Sequence, residues 1–227
     1  RFLIGPNGAG KTTLIDAVTG LVRPESGAVS FDGHDLTRIK EHKIVRLGIG
    51  RTFQTPTVFE ALSVGENLDV AESFRRPLPS LFRRRRGVSQ GVAEAIERVG
   101  LAPFLDRAAR ELSHGQKQWL EIGMLLVQQP KLLLLDEPVA GMSPAERLTT
   151  GALLQDLATD RTVVVIEHDM AFLRRFARKV TVLHEGRLLC EGSVEEVQAD
   201  PDVRQVYLGR SRDERSGAVA GLHEATT

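Results

Sequence analysis

Gly5-Pro6-Asn7-Gly8-Ala9-Gly10-Lys11-Thr12-Thr13 is the stretch from which the rest of the chain can be read. It satisfies the pattern G-x-x-x-x-G-K-[ST] in full, between an apolar stub, Phe2-Leu3-Ile4, and a segment of helical spacing from Thr12 to Leu21. Glycines let the backbone turn so that successive N–H groups converge on phosphate oxygens. The N-terminus of the following helix adds partial positive charge beneath them. Lys11 places a full charge on the β- and γ-phosphates of a nucleotide, and the Thr12 hydroxyl is a candidate Mg²⁺ ligand. Pro6, Asn7, Ala9 and Thr13 complete the binding loop.

Further along, Leu132-Leu133-Leu134-Leu135 runs into Asp136-Glu137, and Val163-Val164-Val165-Ile166 forms a second continuous apolar run. Short apolar runs bounded by polar residues suit parallel strands buried on both faces. The helical spacing of Pro144 to Thr159 between them makes a βαβ crossover and hence a parallel sheet. The two acids then fall at the strand end where such sheets bind ligands. Asp136 is the candidate Mg²⁺ ligand, directly or through water, and Glu137 the general base that polarises the attacking water. These two motifs together indicate a P-loop NTPase with an α/β core.

Leu112-Ser113-His114-Gly115-Gln116 narrows the class. A serine, a glycine and a helix N-terminus form a second anion site on the same chain. One chain needs a single γ-phosphate site, so a second one suggests two chains that sandwich ATP. Ser113, Gly115 and Gln116 of one chain would meet the nucleotide of the other.

With these three motifs in order, the chain resembles the ATP-binding cassette (ABC) ATPase family over nearly its whole length. Gly5–Thr13 resembles Walker A, Leu132–Glu137 Walker B, and Leu112–Gln116 the ABC signature. The resemblance implies that Gln54, in RTFQTPTVFE, is the Q-loop glutamine that senses Mg²⁺ and the attacking water. It implies that His168, in VVVIEHDM, is the switch histidine at the γ-phosphate. It also implies ATP and Mg²⁺ as cofactors and a second ATPase subunit, identical or paralogous, in an ATP-sandwich dimer. Two membrane permease subunits would be direct partners, a substrate-binding protein an indirect one, and the place of work the cytoplasmic face of the inner membrane.

Within the family, Ala140-Gly141-Met142-Ser143-Pro144 and EGSVEEVQADPDVRQVYLG resemble importers of the branched-chain amino acid type. FQTPTVFEALSVGENL and LSHGQKQWLEIGMLLVQQPKLLLLDEPVAGM resemble the ATPase subunit of urea importers more closely still. Urea is therefore the first expected substrate, and a branched-chain amino acid or short amide the alternative. Two features depart from the family. Only four residues precede Gly5, so the aromatic residue that stacks on adenine and the early antiparallel strands are missing; the expectation is either a segment upstream of Arg1 or weak binding of adenine. The loop at 140–143 lacks the acid common elsewhere.

The remaining expectations concern organisation. Residues 1–60 and 130–209 read as the RecA-like nucleotide core, mostly parallel with antiparallel elements. Residues 61–129, where strand-like runs vanish, read as an inserted helical subdomain carrying the signature. Residues 210–227 lack apolar periodicity and read as a disordered tail. Arg83-Arg84-Arg85-Arg86 reads as a solvated loop or a contact for a partner or lipid headgroups. Lys+Arg and Asp+Glu balance at 30 each among 227 residues, which gives no global pull toward nucleic acid. Cys190 is the single cysteine, so no internal disulfide can form. No apolar run approaches the ~18 residues of a membrane span. A DNA- or ribosome-acting ABC ATPase fits poorly, having usually two cassettes or long inserted arms. A regulatory module without turnover is opposed by intact Lys11, Asp136, Glu137 and His168.

Overall fold

The structure, a computed structural model, describes residues 1–53, 55–74 and 88–206. Gln54, the arginine run at 83–86 and the segment 210–227 lie outside the described residues. In chain order the elements are β1 (Phe2–Ile4), α1 (Lys11–Thr19), β2 (Ser30–Phe31), β3 (His34–Asp35), α2 (Glu41–Leu47), β4 (Ile49–Arg51), α3 (Val64–Ser73) and α4 (Gln90–Arg98). Then follow α5 (His114–Leu126), β5 (Leu132–Asp136), α6 (Pro144–Leu157), β6 (Thr162–Ile166), α7 (Met170–Phe176), β7 (Val180–His184), β8 (Arg187–Gly192) and α8 (Val194–Ala199). The chain divides into two compact units, Arg1–Leu14 with Glu167–Thr227, and Ile15–Ile166.

In the first unit β1 pairs in parallel with β7, Phe2 opposite Val180 and Ile4 opposite Val182. The hairpin β7–β8 is antiparallel. Its turn is Glu185-Gly186, both at positive φ (49° and 74°), as a type I′ two-residue hairpin turn requires. Phe2, Phe172 and Phe176 stack in a tilted row, with centroids 5.9 and 4.8 Å apart, and so seat α7 on β1.

In the second unit β4, β5 and β6 are parallel, with Leu133 opposite Gly50 on one side and Val163 on the other. β5 is central, so Leu133 and Leu135 are wholly buried. Truncating a leucine in such a place costs about 2–5 kcal/mol. Between β4 and β5 the described elements longer than a single turn are helices. Val64 and Leu68 of α3, Val92 and Ile96 of α4, and Leu120 and Ile122 of α5 are buried. The apolar spacing visible in the sequence is the face along which α3 and α4 pack on α5. Trp119 on α5 donates its indole N–H to Thr150 Oγ1 on α6 at 2.8 Å, so this aromatic links two helices as well as filling space.

Two sequence-based boundaries are corrected. Gly27 to Phe31 alternates in the sequence as a strand does, yet only β2 forms there, because just Ser30 and Phe31 have cross-strand partners, Asp35 and His34. The helix expected from Thr12 to Leu21 begins at Lys11 and stops at Thr19, where Leu21 N and Val22 N turn back to Asp16 O.

Candidate active site

The phosphate loop belongs to the first unit. It bends from β1 into α1 by packing its backbone against β7 and the β7–β8 turn. Gly5 shows why a side chain is excluded there: a Cβ would lie 2.3 Å from the carbonyl oxygen of Leu183. Gly186 N donates to Ala9 O at 3.1 Å, Ala9 N to Pro6 O at 3.1 Å, and Leu14 N to Gly10 O at 2.9 Å, which starts the helix. Lys11 folds back over the loop, its Nζ donating to Gly5 O at 2.8 Å and Pro6 O at 3.1 Å. The ammonium group is thus held at the loop mouth, while Asn7, Gly8, Thr12 and Thr13 are exposed. A narrow glycine-lined bend, a lysine above it and a helix N-terminus below it are the donor set that a triphosphate requires.

His168 also lies in the first unit and is exposed just after β6. Its backbone N–H donates to Glu167 Oε2 at 3.1 Å, and Asp169 N reaches the same oxygen at 3.4 Å. Asp169 then caps α7 by accepting from Ala171 N and Phe172 N. Buried Glu167 and the cap together fix the backbone from which the imidazole projects.

Asp136 and Glu137 belong to the second unit. Asp136 is 4% exposed. Its N–H donates to Thr52 Oγ1 at 3.2 Å, and Thr52 N donates in turn to Leu134 O at 2.9 Å. Arg51 approaches from the same strand end, with Nη2 3.8 Å from Asp136 Oδ2. Its other terminal nitrogen pairs with Asp16 of α1, and its guanidinium lies 5.3 Å from the centre of the Phe53 ring. Glu137 sits at φ 49°, in the left-handed region that a glutamate rarely adopts. Two backbone bonds hold it there, Glu137 N to Ile166 O at 3.0 Å and Ala140 N to Glu137 O at 3.1 Å. Strained residues of this kind persist where the surroundings over-determine them, and they cluster at functional sites.

On either side of Gln54 in the sequence, Phe53 and Thr57 meet α5. Glu121 of α5 is buried, and its carboxylate accepts from Thr57 N at 3.2 Å and from Phe53 N. Burial pushes its pKa up to about 7 against the opposing pull of those two N–H groups. The signature patch follows from a capping box. Ser113 Oγ accepts from Gln116 N at 3.2 Å while Gln116 Oε1 accepts from Ser113 N at 2.9 Å. This arrangement keeps Ser113 and Gly115 at the exposed start of α5.

Among the described residues no three His, Cys, Asp or Glu side chains gather as a metal cage. Mg²⁺ needs none, since it is usually held by one or two protein oxygens with phosphate oxygens and water. The Thr12 hydroxyl and Asp136 carboxylate are donors of that kind. Sequence reasoning did not single out Arg51, Thr52, Glu121, Glu146 or Glu167. The only advance signal was the S-x-x-E spacing of Ser143 and Glu146.

Residues 1–140 match the family model of ABC transporters, and residues 187–213 match that of the branched-chain amino acid ATP-binding cassette transporter. The chain belongs to the ABC transporter family. The BraF branched-chain amino acid transport ATP-binding protein of Pseudomonas aeruginosa is 36% identical over 220 residues, covering 92% of this chain and 86% of that protein. The LivG protein of Escherichia coli is 35% identical over the same shares. The lipopolysaccharide export ATP-binding protein LptB of Acidithiobacillus ferridurans is 36% identical over 209 residues, 91% of this chain and 84% of that one. The ADP conformation of MJ1267, an ATP-binding cassette of an ABC transporter, superposes with a TM-score of 0.78 at 33% identity, covering 92% of this chain and 87% of that one.

The fold is accordingly that of an ABC ATPase, with mostly parallel strands and helices, and the chain binds and hydrolyses ATP. The leading substrate expectation is not upheld. The stretches that resemble urea importers sit in a chain whose relatives named here carry branched-chain amino acid transport and lipopolysaccharide export, and whose C-terminal segment matches the branched-chain model.

Proposed function

We propose that this chain is the ATPase subunit of an importer of the branched-chain amino acid type. The observation that carries the reading is the C-terminal match at 187–213, which falls on β8 and the residues after it, outside the motifs shared by all ABC ATPases. Lys11 and the backbone N–H groups of Gly5–Thr13 hold the β- and γ-phosphates. Thr12, Asp136 and Gln54 would ligate Mg²⁺, which when bound neutralises charge on the phosphate oxygens. Glu137 accepts a proton from the water that attacks the γ-phosphorus, and His168 contacts the γ-phosphate. Two chains, identical or paralogous, enclose two nucleotides, each completed by Ser113, Gly115 and Gln116 of the other chain. Release of phosphate removes the charge that joins them.

The partners in the membrane would be two permease subunits, served by a substrate-binding protein at the opposite side, with this chain peripheral on the cytoplasmic face. No helix among the described residues is long and apolar enough to cross a membrane. Phe53, Phe59, Val70 and Phe74 expose between 40% and 61% of their surface. They flank or follow Gln54 and supply apolar area for a permease contact. Residues 1–60 with 130–209 as core, and 61–129 as helical subdomain, remain the working division.

The test is ATP-driven uptake in vesicles holding the permeases, the binding protein and this chain. Labelled leucine should accumulate and labelled urea should not. Glu137→Gln should lower turnover about 10²–10⁴-fold, the share a general base supplies, while ATP binding persists. Uptake of urea in place of leucine overturns the substrate assignment. Undiminished turnover in Glu137→Gln overturns the catalytic one.

A further inference from the structure

Glu146 lies in the first turn of α6, and one of its carboxylate oxygens serves that helix alone. Oε2 accepts from Ser143 N and from Ser143 Oγ, both at 2.9 Å. The capping box is complete with that oxygen. The other oxygen reaches a different helix: Oε1 accepts from Ser113 Oγ at 3.0 Å. It also lies close above Gly115, where a Cβ would stand 2.6 Å from it. Nearby, a Cβ on Gly141 would be 3.5 Å from the ring of His114, so the loop before α6 also runs close to the start of α5. The carboxylate stays ionised, because the hydrogen bonds from Ser143 and Ser113 hold it below the usual glutamate range. A negative group therefore rests on the serine and glycine that the proposed sandwich assigns to the other chain's γ-phosphate.

We infer that Glu146 is a positioning residue that stands in for this phosphate on the Ser113–Gly115 patch, yields to it when the dimer closes, and reports the exchange to the loop at 140–143. The inference rests on the sandwich reading above. Two constraints force the exchange. The Ser113 hydroxyl has one proton to donate, either to Glu146 or to a phosphate oxygen. Two anions also cannot share one helix N-terminus without strong repulsion. Because Oε2 remains bonded to Ser143, movement of the carboxylate away from Ser113 turns about the cap of α6. The 140–143 loop then feels whether the signature patch is filled. Glycine at 115 leaves the space in which this occurs.

Glu146→Gln isolates the charge, since glutamine serves the same place in a capping box and the helix keeps its start. The experiment is light scattering of the Glu137→Gln chain, alone and mixed with a paralogous ATPase, titrated with ATP. Adding Glu146→Gln should lower the ATP concentration for half-maximal dimer about tenfold, as expected for removal of a charge-assisted hydrogen bond that competes with the ligand. In a Ser113→Ala background the gain should be smaller, because the contest for the hydroxyl proton is gone and only the repulsion between the two anions is left to relieve; an undiminished tenfold gain would show that Ser113 takes no part in the exchange. An unchanged or higher half-point for Glu137→Gln/Glu146→Gln overturns the role of Glu146 while leaving the dimer intact. Failure of Glu137→Gln itself to dimerise with ATP, with or without the paralogue, overturns the sandwich reading and this inference together.

Discussion

Thr52 has no exposed surface, and its hydroxyl accepts the backbone N–H of Asp136. Valine has nearly the same shape but no acceptor, so Thr52→Val would leave that buried N–H unsatisfied, at a cost of about 1–3 kcal/mol. Guanidinium denaturation should show this loss and Thr52→Ser should recover most of it; equal stability of Val and Thr would mean that the contact is idle. Glu137 poses the opposite case. At φ 49° it occupies a conformation that asparagine tolerates better. Glu137→Asn should therefore keep or raise stability, by up to about 1 kcal/mol, while ATPase turnover falls at least as far as in Glu137→Gln. A clear loss of stability would show that the glutamate side chain supports the fold and is not held against it. Both residues mark how far the sequence speaks at this scale. Glu137 stood out as a candidate because two acids end an apolar run. Thr52 did not, because a threonine between an arginine and a phenylalanine carries no sign of which backbone it will meet.

Elements follow from periodicity, and the joints between them do not. The runs at 132–135 and 163–166 became β5 and β6 in register, as continuous apolar strands must when buried on both faces. Glu121 was illegible for a physical reason. An acid in a helix reads as solvent-facing, and only the packing of α5 shows that it is buried against residues 53 and 57. That burial has a pH signature. Its pKa stands at about 7 when folded, against 4.5 as its ordinary value, so the folded chain binds the proton more tightly than the unfolded chain. The contribution to stability is full below about pH 4.5 and is lost as pH rises through about 7. Glu121→Gln removes this term. The stability difference between Glu121→Gln and the parent should grow in favour of the variant from pH 5 to pH 8, by roughly 3 kcal/mol at most. Equal differences at both pH values would show that Glu121 titrates normally. Above pH 7 the ionised carboxylate is the stronger acceptor for Phe53 N and Thr57 N, so the flanks of Gln54 are held most firmly where the fold bears the greater cost.

The whole chain carries no net charge, with Lys+Arg and Asp+Glu at 30 each. Long-range attraction thus contributes little to its encounter with ATP, and affinity rests on the local donors of the phosphate loop. Stability and binding are then linked. A ligand taken only by the folded chain stabilises it by RT ln(1 + [L]/Kd), about 2.7 kcal/mol at a hundredfold excess over Kd. For a protein of this size each kcal/mol moves Tm by about 2–4 °C. Saturating MgATP should therefore raise Tm by roughly 5–10 °C. Lys11→Ala removes the ammonium that bridges Gly5 O and Pro6 O as well as the charge offered to phosphate. It should lower the ligand-free Tm only slightly and abolish most of the MgATP shift. Thermal unfolding followed by circular dichroism, with and without MgATP, separates the two effects. A full ligand shift in Lys11→Ala would place the affinity in other residues. A large ligand-free loss would make Lys11 a brace of the loop before it is a phosphate ligand, and the bonds to Gly5 and Pro6 would then be its main work.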